Sequence, residues 1–141
     1  MGDALSAELG GLSYKAWLSD SRESPDDRFL EKRGRFRDVN GTLIAKNWGD
    51  LTDGDLINPI IIDANGDTVP QETYVWTATL ANGKANDPWD PEHDSCVDWY
   101  SEENNYTGWY GDPYEFTSDW WTDRSRALCG QEYRLYCFEQ L

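Results

Sequence analysis

The stretch that decides the fold runs from Cys96 to Cys129 and reads CVDWYSEENNYTGWYGDPYEFTSDWWTDRSRALC. It holds nine of the chain's aromatic residues, which comprise 8 Trp, 8 Tyr and 4 Phe, but few aliphatic ones. Its apolar residues follow neither the helical nor the strand period. Tyr and Trp give a large contact area at low entropy cost, and Asn, Ser and Asp add adaptable hydrogen bonds. The stretch therefore suits a recognition surface. The alternative is that its rings form the core of a loop-rich fold, which we favour for Trp99 and Trp121 taken singly.

Length and composition indicate a folded chain. At 141 residues the sequence suits one domain over 1–141, because two cores would each be marginal in size. The hydrophobic content of 38% and the mean hydropathy of -0.79 are low. However, the aromatic content of 14% supplies more buriable area than disordered chains contain.

The charge is strongly acidic, with 27 Asp and Glu against 12 Lys and Arg and a formal net charge of -15. Such a charge repels phosphate backbones and anionic lipid, so we expect no nucleic-acid partner. A cationic ligand, a high-salt habitat and plain solubility all remain open. The longest aliphatic run, Ile60 to Ile62, is too short to span a bilayer, and the start MGDALSAELGG lacks the features of a signal peptide. We therefore expect no membrane insertion.

Local signals in the first half predict two helices and a hairpin. Asp3 to Leu9 is predicted as a short helix stopped by Gly10 and Gly11. Alternation predicts a strand over Tyr14 to Ser19. Ser24 followed by Pro25 and two acids predicts a second helix, which ends before Gly34. Asn40-Gly41 predicts a hairpin between Phe36 and Ala45.

The second half predicts strands separated by long loops. Ile60 to Ile62 is typical of a buried strand, and Tyr74 to Thr79 predicts another strand. Asn82 to Ser95 is predicted as a loop, and Tyr133 to Phe138 as a final strand with Leu135 and Cys137 on one face. Few helices and several short strands favour an α+β domain with antiparallel sheets.

Three features together resemble a C-type lectin-like domain. Seven residues separate Cys129 from Cys137, and FEQL follows, as in the closing strand of that fold. The segment SCVDW around Cys96 is similar to the surroundings of the fold's second cysteine. The segments YKAWLSDS, IAKNWGDLTDGDL and RLYCFEQ resemble a microbial lectin-like branch. The resemblance covers nearly the whole chain and implies short antiparallel sheets, few short helices and a long loop-rich C-terminal half.

The resemblance also implies a Cys96 to Cys129 disulfide. Closing a loop of 33 residues stabilises a fold by roughly 3 to 4 kcal/mol in the chain-entropy model. The family's usual first cysteine is missing, because no Cys precedes Cys96. Cys137 is then left over as a buried free thiol or an intermolecular partner. In a reducing environment all three cysteines would be thiols.

A narrower resemblance is to variable proteins of diversity-generating retroelements, of archaeal or viral type. These proteins use the lectin-like fold and vary near the C-terminus by replacing Asn codons, which leaves surfaces rich in Tyr, Asn, Asp, Ser and Phe. Residues 98–123 are similar in composition. Tryptophan is not reachable from an Asn codon through adenine changes, so Trp99, Trp109 and Trp121 are expected to be fixed scaffold. Trp120 does not fit this pattern easily.

The resemblance implies a receptor-recognition protein with a variable ligand-binding surface, displayed outside the cell on a cell or virion surface and monomeric in this form. Its partner is an unknown protein or surface ligand. The implied ligand-binding residues, with the tyrosines and Phe116 as rigid anchors, are Asp98, Tyr100, Glu102, Asn104, Asn105, Tyr106, Tyr110, Asp112, Tyr114, Phe116, Asp119, Trp120 and Asp123. One alternative is a glycan-binding lectin or adhesin of the microbial surface. Another is a structural surface domain without a dedicated ligand.

Catalytic and metal-binding signals are weak. The calcium-binding triplets of carbohydrate-binding relatives, Glu-Pro-Asn or Gln-Pro-Asp and Trp-Asn-Asp, do not occur. The clusters DANGD (63–67) and DPWDPEHD (87–94) offer some oxygens for calcium, but the first suits a tight turn. His93 is the single histidine, which disfavours zinc and a catalytic triad. No acidic pair is singled out for hydrolysis, and no phosphate loop occurs. We expect neither enzyme activity nor a cofactor.

Overall fold

Short strands and short helices follow one another along the chain in a computed structural model that describes residues 6–9, 12–30 and 32–140. The described part is a small mixed domain with antiparallel sheets and few helices, which confirms the α+β class. The helices are α1 (Pro25–Arg28), α2 (Trp48–Leu51), α3 (Pro91–Asp94) and α4 (Cys96–Trp99), with a 3-10 turn at Asp119–Trp121. The strands are β1 (Ser6–Leu9), β2 (Leu12–Ala16), β3 (Phe36–Arg37), β4 (Leu43–Ala45), β5 (Val75–Trp76), β6 (Thr107–Gly111), β7 (Ser125–Leu128) and β8 (Cys137–Glu139).

The strands form three sheets, with the orders β1-β2-β8, β3-β4 and β5-β6-β7. In the first sheet Ala16 of β2 pairs with Cys137 of β8, so the last strand lies beside the first hairpin. In the third sheet β6 is central: Trp76 pairs with Tyr110 on one side, and Trp109 pairs with Arg126 on the other. A strand thus runs through the stretch for which no regular period was found.

The prediction of a helix over Asp3 to Leu9 is wrong where it can be checked. Ser6–Leu9 forms β1, which is paired with β2 in the register Ser6 to Lys15. Asp3 to Leu5 lie outside the described residues. The Gly10-Gly11 pair, interpreted above as a helix stop, is also a sequence signal for a hairpin turn. The antiparallel pairing of β1 with β2 favours the hairpin interpretation.

Helix α1 begins where the sequence predicts. The Ser24 backbone N–H donates to Asp27 Oδ2 at 3.0 Å, as in a capping box. The buried Arg28 guanidinium donates to the carbonyls of Ala16 and Leu18 and forms a 2.6 Å ion pair with Glu23. A buried charge requires such partners. Arg28 therefore ties α1 to the end of β2.

The Asn40-Gly41 hairpin is confirmed, because β3 and β4 pair antiparallel and Gly41 has a φ of +86°. The predicted buried strand at Ile60 to Ile62 is wrong. Only Ile62 forms a bridge, to Thr68, and all three isoleucines are half-buried.

The strand predicted over Tyr74 to Thr79 is shortened to Val75–Trp76. Ala78 has a φ of 46°, which no regular ladder accommodates. The predicted loop Asn82 to Ser95 contains α3, which starts at Pro91, a residue that favours the first helical position.

The core is built around Trp17, which is fully buried. Its ring contacts Phe29, Trp48, Trp121 and Phe138 at centroid distances from 5.0 Å to 6.1 Å. Its indole N–H donates to Thr122 Oγ1 at 2.7 Å. Trp121 is also fully buried, which confirms its interpretation as core. Residues from both ends of the chain, such as Trp17 and Phe138, pack in this core together with Trp121. The core therefore fixes the position of the aromatic stretch to which Trp121 belongs.

A second buried cluster, which includes Leu18, Trp76, Trp99 and the two cysteines Cys96 and Cys129, lies on one face of the third sheet. Trp99 is 9% exposed, which confirms that it also belongs to the core. The half-buried rings of Tyr106, Tyr110 and Tyr133 pack against this cluster from outside. This face of the sheet carries the candidate site.

Candidate functional site

A disulfide between Cys96 and Cys129 closes the aromatic stretch, as the resemblance implied. The two Cα atoms are 5.7 Å apart, and the bond joins α4 to the residue that follows β7. Cys137 is free and exposed as a residue, and partial burial of its thiol raises the pKa of that group. The bond holds both ends of the stretch together within the second buried cluster.

Helix α4 is a left-handed turn. Cys96, Val97, Asp98 and Trp99 have φ values of 50°, 58°, 54° and 66°, and none of them is glycine. For L-residues this conformation costs roughly 1 to 2 kcal/mol each, so surrounding contacts must hold it. Strained backbone of this kind is concentrated at functional sites.

Side-chain hydrogen bonds hold this turn in place. The Asp98 carboxylate accepts from the backbone N–H of Ser21 at 2.8 Å and from its hydroxyl at 2.7 Å. The Ser95 hydroxyl accepts from the Asp98 backbone N–H at 3.1 Å. The Trp99 indole N–H donates to the carbonyl of Ser19 at 2.7 Å. Asp98, predicted as a ligand contact, is thus used by the fold itself.

A cleft of about 690 Å³ opens beside the disulfide. The segment 99–102 lies on one side of it and the segment 130–133 on the other. Trp76 and the disulfide also line it. The side chains that give it chemical character are Trp76, Trp99, Tyr100, Glu102, Gln131 and Tyr133. The cleft therefore combines aromatic surfaces with a few carboxylate and amide groups.

Three half-buried tyrosines form a cluster next to the cleft. The ring centroids of Tyr74, Tyr110 and Tyr133 lie 5.1 Å to 5.6 Å apart, and Tyr133 reaches Trp76 at 4.6 Å. Burial, followed by the charge of Asp112, raises the pKa of Tyr74. Burial also raises the pKa of Tyr133. Both hydroxyls stay protonated at neutral pH and can donate hydrogen bonds.

The predicted ligand-binding residues differ widely in exposure. Tyr100 is 81% exposed and Trp120 is 45% exposed, which makes them the most open rings of the stretch. Glu102, Asn104, Asn105 and Asp119 are also exposed, whereas the half-buried members are Asp98, Tyr106, Tyr110, Asp112, Tyr114, Phe116 and Asp123. The structure brings Tyr100 and Glu102 together at the cleft and places Tyr110 in the adjoining cluster.

Several of the predicted residues make contacts within the protein. The Tyr114 hydroxyl donates to the carbonyl of Val69, and Phe116 packs against the main core. Asp123 accepts from the Asn86 amide at 2.7 Å, and Asn104 Oδ1 accepts from the Gly130 backbone N–H at 2.9 Å. These side chains hold loops together, and Asn104 in particular connects the two sides of the cleft.

Sequence reasoning missed Tyr74, Trp76 and Tyr133, which lie on other parts of the chain. The available signal was the density of aromatics in YVWTAT and YRLYCF, which we interpreted only as strands. It also missed Trp89, which is 93% exposed, although Pro88 and Pro91 flank it closely in the sequence. The other seven tryptophans are far less exposed.

Two carboxylates, Asp94 in α3 and Asp123 after the 3-10 turn, are electrostatically unusual. Burial raises the pKa of Asp94 to about 7, although a hydrogen bond from the Asp87 backbone N–H opposes the shift. Burial and the charge of Asp119 raise the pKa of Asp123. Within the described residues, no group of three or more His, Cys, Asp or Glu side chains is arranged to hold a metal ion. In the segment 63–67 the Asp63 carboxylate accepts from Asn65 and Asp67 in a tight turn.

The sequence matches no profile of a known protein family, and no curated protein is significantly similar to it. Among the helices in the described ranges, none has the length and apolar character needed to cross a bilayer.

Proposed function

We propose that this chain is a recognition domain that binds a partner through the cleft beside the Cys96–Cys129 disulfide. The observation that carries the proposal is the position of Tyr100, which is 81% exposed at the edge of a cleft of about 690 Å³. Binding sites are commonly clefts of about 300 to 1,000 Å³ with aromatic walls and few polar groups. An exposed ring on a fixed backbone loses little entropy on binding.

For the scaffold we propose a C-type lectin-like fold. The disulfide that the resemblance implied is present, and short antiparallel sheets surround an aromatic core. The strand that carries Cys137 pairs with the N-terminal hairpin, so the two ends of the chain support one sheet. These features support the assignment, and superposition of this chain on known C-type lectin-like domains would test it.

We further propose that a retroelement diversifies residues 98–123. Trp99 and Trp121 are buried, as expected for fixed scaffold. In contrast, Asn104 and Asn105 are exposed, and Asn codons are rich in the adenines that the retroelement would change. Trp120 is exposed and remains difficult to obtain from an Asn codon. The disulfide fits an oxidising environment such as a cell or virion surface. The proposed partner is a protein or other surface ligand rather than nucleic acid, and no catalytic step is assigned.

Copies of the gene from one locus test the diversification. We expect substitutions to be concentrated at exposed positions such as Tyr100, Asn105 and Asp119. We expect none at Gly111 or Trp121, where the backbone is crowded or the ring is fully buried. Substitutions spread evenly over the chain would contradict the retroelement proposal but would leave the cleft untested, so binding needs its own experiment.

A protein microarray of extracellular proteins tests the cleft. Proteins bound by the wild type are titrated again with the variants Tyr100→Ala and Leu128→Ala, which both remove an exposed apolar side chain. Losing a hot-spot aromatic costs on the order of 2 kcal/mol, so we expect about thirtyfold weaker binding for Tyr100→Ala and no change for Leu128→Ala. Equal binding by all three proteins would rule out the cleft as the binding site.

A glycan ligand is the second candidate, because the cleft places the aromatic rings of Tyr100 and Tyr133 near the polar groups of Glu102 and Gln131. Rings can stack on sugars while carboxylates accept from hydroxyls. A glycan array with and without EDTA distinguishes the two candidates. Glycan binding that Tyr100→Ala abolishes would favour the lectin, and its dependence on EDTA would show whether a metal takes part.

A further inference from the structure

Trp89 is the most exposed tryptophan of the chain, with 93% of its surface accessible. Tryptophan is usually among the most buried residues on average, and an indole in water leaves a large apolar area uncovered. Trp89 lies outside the cleft-lining residues and outside the predicted variable region 98–123. Its exposure therefore needs an explanation other than the proposed cleft.

The backbone that carries Trp89 is held by several contacts. Its N–H donates to Asp87 Oδ1 at 3.3 Å, and the Asp90 N–H donates to the Asp87 carbonyl at 3.2 Å. The Asp87 N–H in turn donates to the buried Asp94 carboxylate at 3.1 Å. Pro88 and Pro91 restrict the backbone further. The indole is thus presented from a loop that has little conformational freedom to lose on binding.

The segment that carries Trp89 is acidic. Residues 87–94 contain Asp87, Asp90, Glu92 and Asp94 but no Lys or Arg. Asp90 pairs with His93, and burial raises the pKa of Asp94 to about 7, so Asp87 and Glu92 supply most of the negative charge. None of the described ion pairs involves Asp87 or Glu92. An indole face attracts a Lys or Arg side chain, and neighbouring carboxylates add to that attraction.

A groove adjoins this loop at Pro88, the residue directly before Trp89. The groove has a volume of about 340 Å³. Its acidic lining residues outnumber its basic ones, and these charged residues are Asp20, Arg22, Glu23, Asp26, Asp27 and Lys84. Glu23 and Asp26 form ion pairs with Arg28 and Lys32, so Asp20 and Asp27 are the groove carboxylates outside the described ion pairs. A partner segment seated on Trp89 would meet this negative charge along its path.

We propose that Trp89 and the groove at Pro88 form a second docking surface, which binds a lysine- or arginine-containing segment of a partner protein. The indole covers the apolar part of that segment and interacts with its cations, while Asp87, Glu92 and the acidic groove complement its charge. This surface is separate from the cleft, so the failure of one proposal would not decide the other.

The test is a selection from a displayed library of random twelve-residue peptides against the wild-type chain. The peptides that are enriched are synthesised and titrated calorimetrically against the wild type, Trp89→Ala and Leu30→Ala. Leu30 is the matched control, because it is 84% exposed and lines neither the cleft nor the groove at Pro88. Circular dichroism checks that the exposed substitutions leave the fold intact.

We expect the enriched peptides to be net positive, to bind at least tenfold more weakly to Trp89→Ala, and to bind Leu30→Ala as they bind the wild type. Glu92→Gln should weaken binding at low salt more than at high salt, because screening removes the charge contribution. Equal binding to Trp89→Ala would show general attraction to an acidic protein and would overturn the proposal. Neutral or acidic peptides, no enrichment, self-association through Trp89, or Trp89-dependent binding to zwitterionic vesicles would also overturn it.

Discussion

Gly111 lies where β6 passes directly beneath the backbone of the 3-10 turn. A Cβ at this position would lie 2.0 Å from the carbonyl oxygen of Trp121 and 2.6 Å from its carbonyl carbon. Backbone atoms cannot rotate away as a side chain can, so the turn or the strand would have to move. We expect Gly111→Ala to lower the free energy of unfolding by roughly 3 kcal/mol, measured by guanidinium denaturation.

Gly49 is the matched control for Gly111. A Cβ at Gly49, in α2, would meet only the side-chain oxygen of Asn47, at 3.3 Å. Alanine also has a higher helix propensity than glycine, so Gly49→Ala should leave stability unchanged or raise it by about 0.5 kcal/mol. Equal stability of the two variants would show that β6 and the turn are not in contact.

Asp94 makes a second prediction at the scale of single residues, because it is a buried carboxyl whose pKa is raised to about 7 from an ordinary value of 3.8. The folded state thus binds the proton more tightly than the unfolded state. The free energy of unfolding must therefore fall as the pH rises from about 4 to 7 and then level off. Asp94→Asn removes this titration. We expect the variant to be more stable than the wild type at pH 8, by on the order of 2 kcal/mol, and nearly equal at pH 4.

Urea denaturation at one-unit pH intervals measures this difference. Glu92→Gln is the control, because it removes an exposed carboxylate from the same helix and should keep the wild-type pH dependence. The charges that face Asp94 are Asp87, Asp123 and Asp90. If the curves of Asp94→Asn and the wild type run parallel from pH 5 to 8, the carboxyl is ionised in the fold.

At the scale of elements, the disulfide and the left-handed turn α4 depend on each other. The double variant Cys96→Ala/Cys129→Ala reopens a loop of 33 residues, so we expect a loss of roughly 3 to 4 kcal/mol. The near-ultraviolet circular dichroism of Trp99 should weaken as well, because α4 loses its covalent anchor. Thermal and guanidinium unfolding measure the loss.

Cys137→Ala is the control for the disulfide variant, because it removes the free thiol of an exposed residue. It should leave the unfolding midpoint unchanged. If it destabilises the chain as much as the double variant does, or if a reducing agent has no effect on the wild type, then Cys96 and Cys129 are not bonded in solution.

The elements that could be predicted from sequence are those with local causes. The Ser24 cap with Pro25 determines the start of α1, and Asn40-Gly41 determines the β3-β4 hairpin. The elements that were wrong depend on distant partners. β1 exists because β2 pairs with it, and Ile60 to Ile62 fails as a strand because its pairing is limited to the Ile62–Thr68 bridge and one hydrogen bond from Val69 to Ile61. Nothing in a single sequence states which strands meet.

The candidate site was predictable to a similar degree. Trp99 and Trp121 are core, as expected, and two of the predicted ligand contacts, Tyr100 and Trp120, are exposed rings. The other four rings predicted as ligand contacts are half-buried: Tyr106, Tyr110, Tyr114 and Phe116. The stretch between the cysteines did not indicate that Tyr133 completes the cleft, because that residue follows the stretch and reaches it only through the fold. The left-handed turn α4 was not predictable either, since four positive φ angles without glycine carry no sequence signal.

At the scale of the whole molecule, the aromatic residues have two separate tasks. Trp17 and Trp121 fill the main core and fix the segments that cross it, whereas Tyr100 and Trp89 cover no core at all. The exposed surface is strongly acidic, with a formal net charge of -15. A framework whose stability resides in buried rings can therefore change its exposed residues at little cost in stability, which the proposed diversification would require.

A saturation scan on yeast surface display measures this separation directly. Eight positions are compared by the folded fraction that survives a heat challenge: the exposed Tyr100, Glu102, Glu103 and Asn105, and the buried or crowded Trp17, Trp99, Gly111 and Trp121. Surface substitutions away from special contacts change stability by about 0.5 kcal/mol, whereas truncating a buried Trp costs about 3 to 5 kcal/mol. We therefore expect most substitutions in the first group to be tolerated and nearly all in the second to fail. If substitutions between Tyr100 and Asn105 fail as often as those at Trp121, these side chains stabilise the fold, and the surface they form is not free to vary.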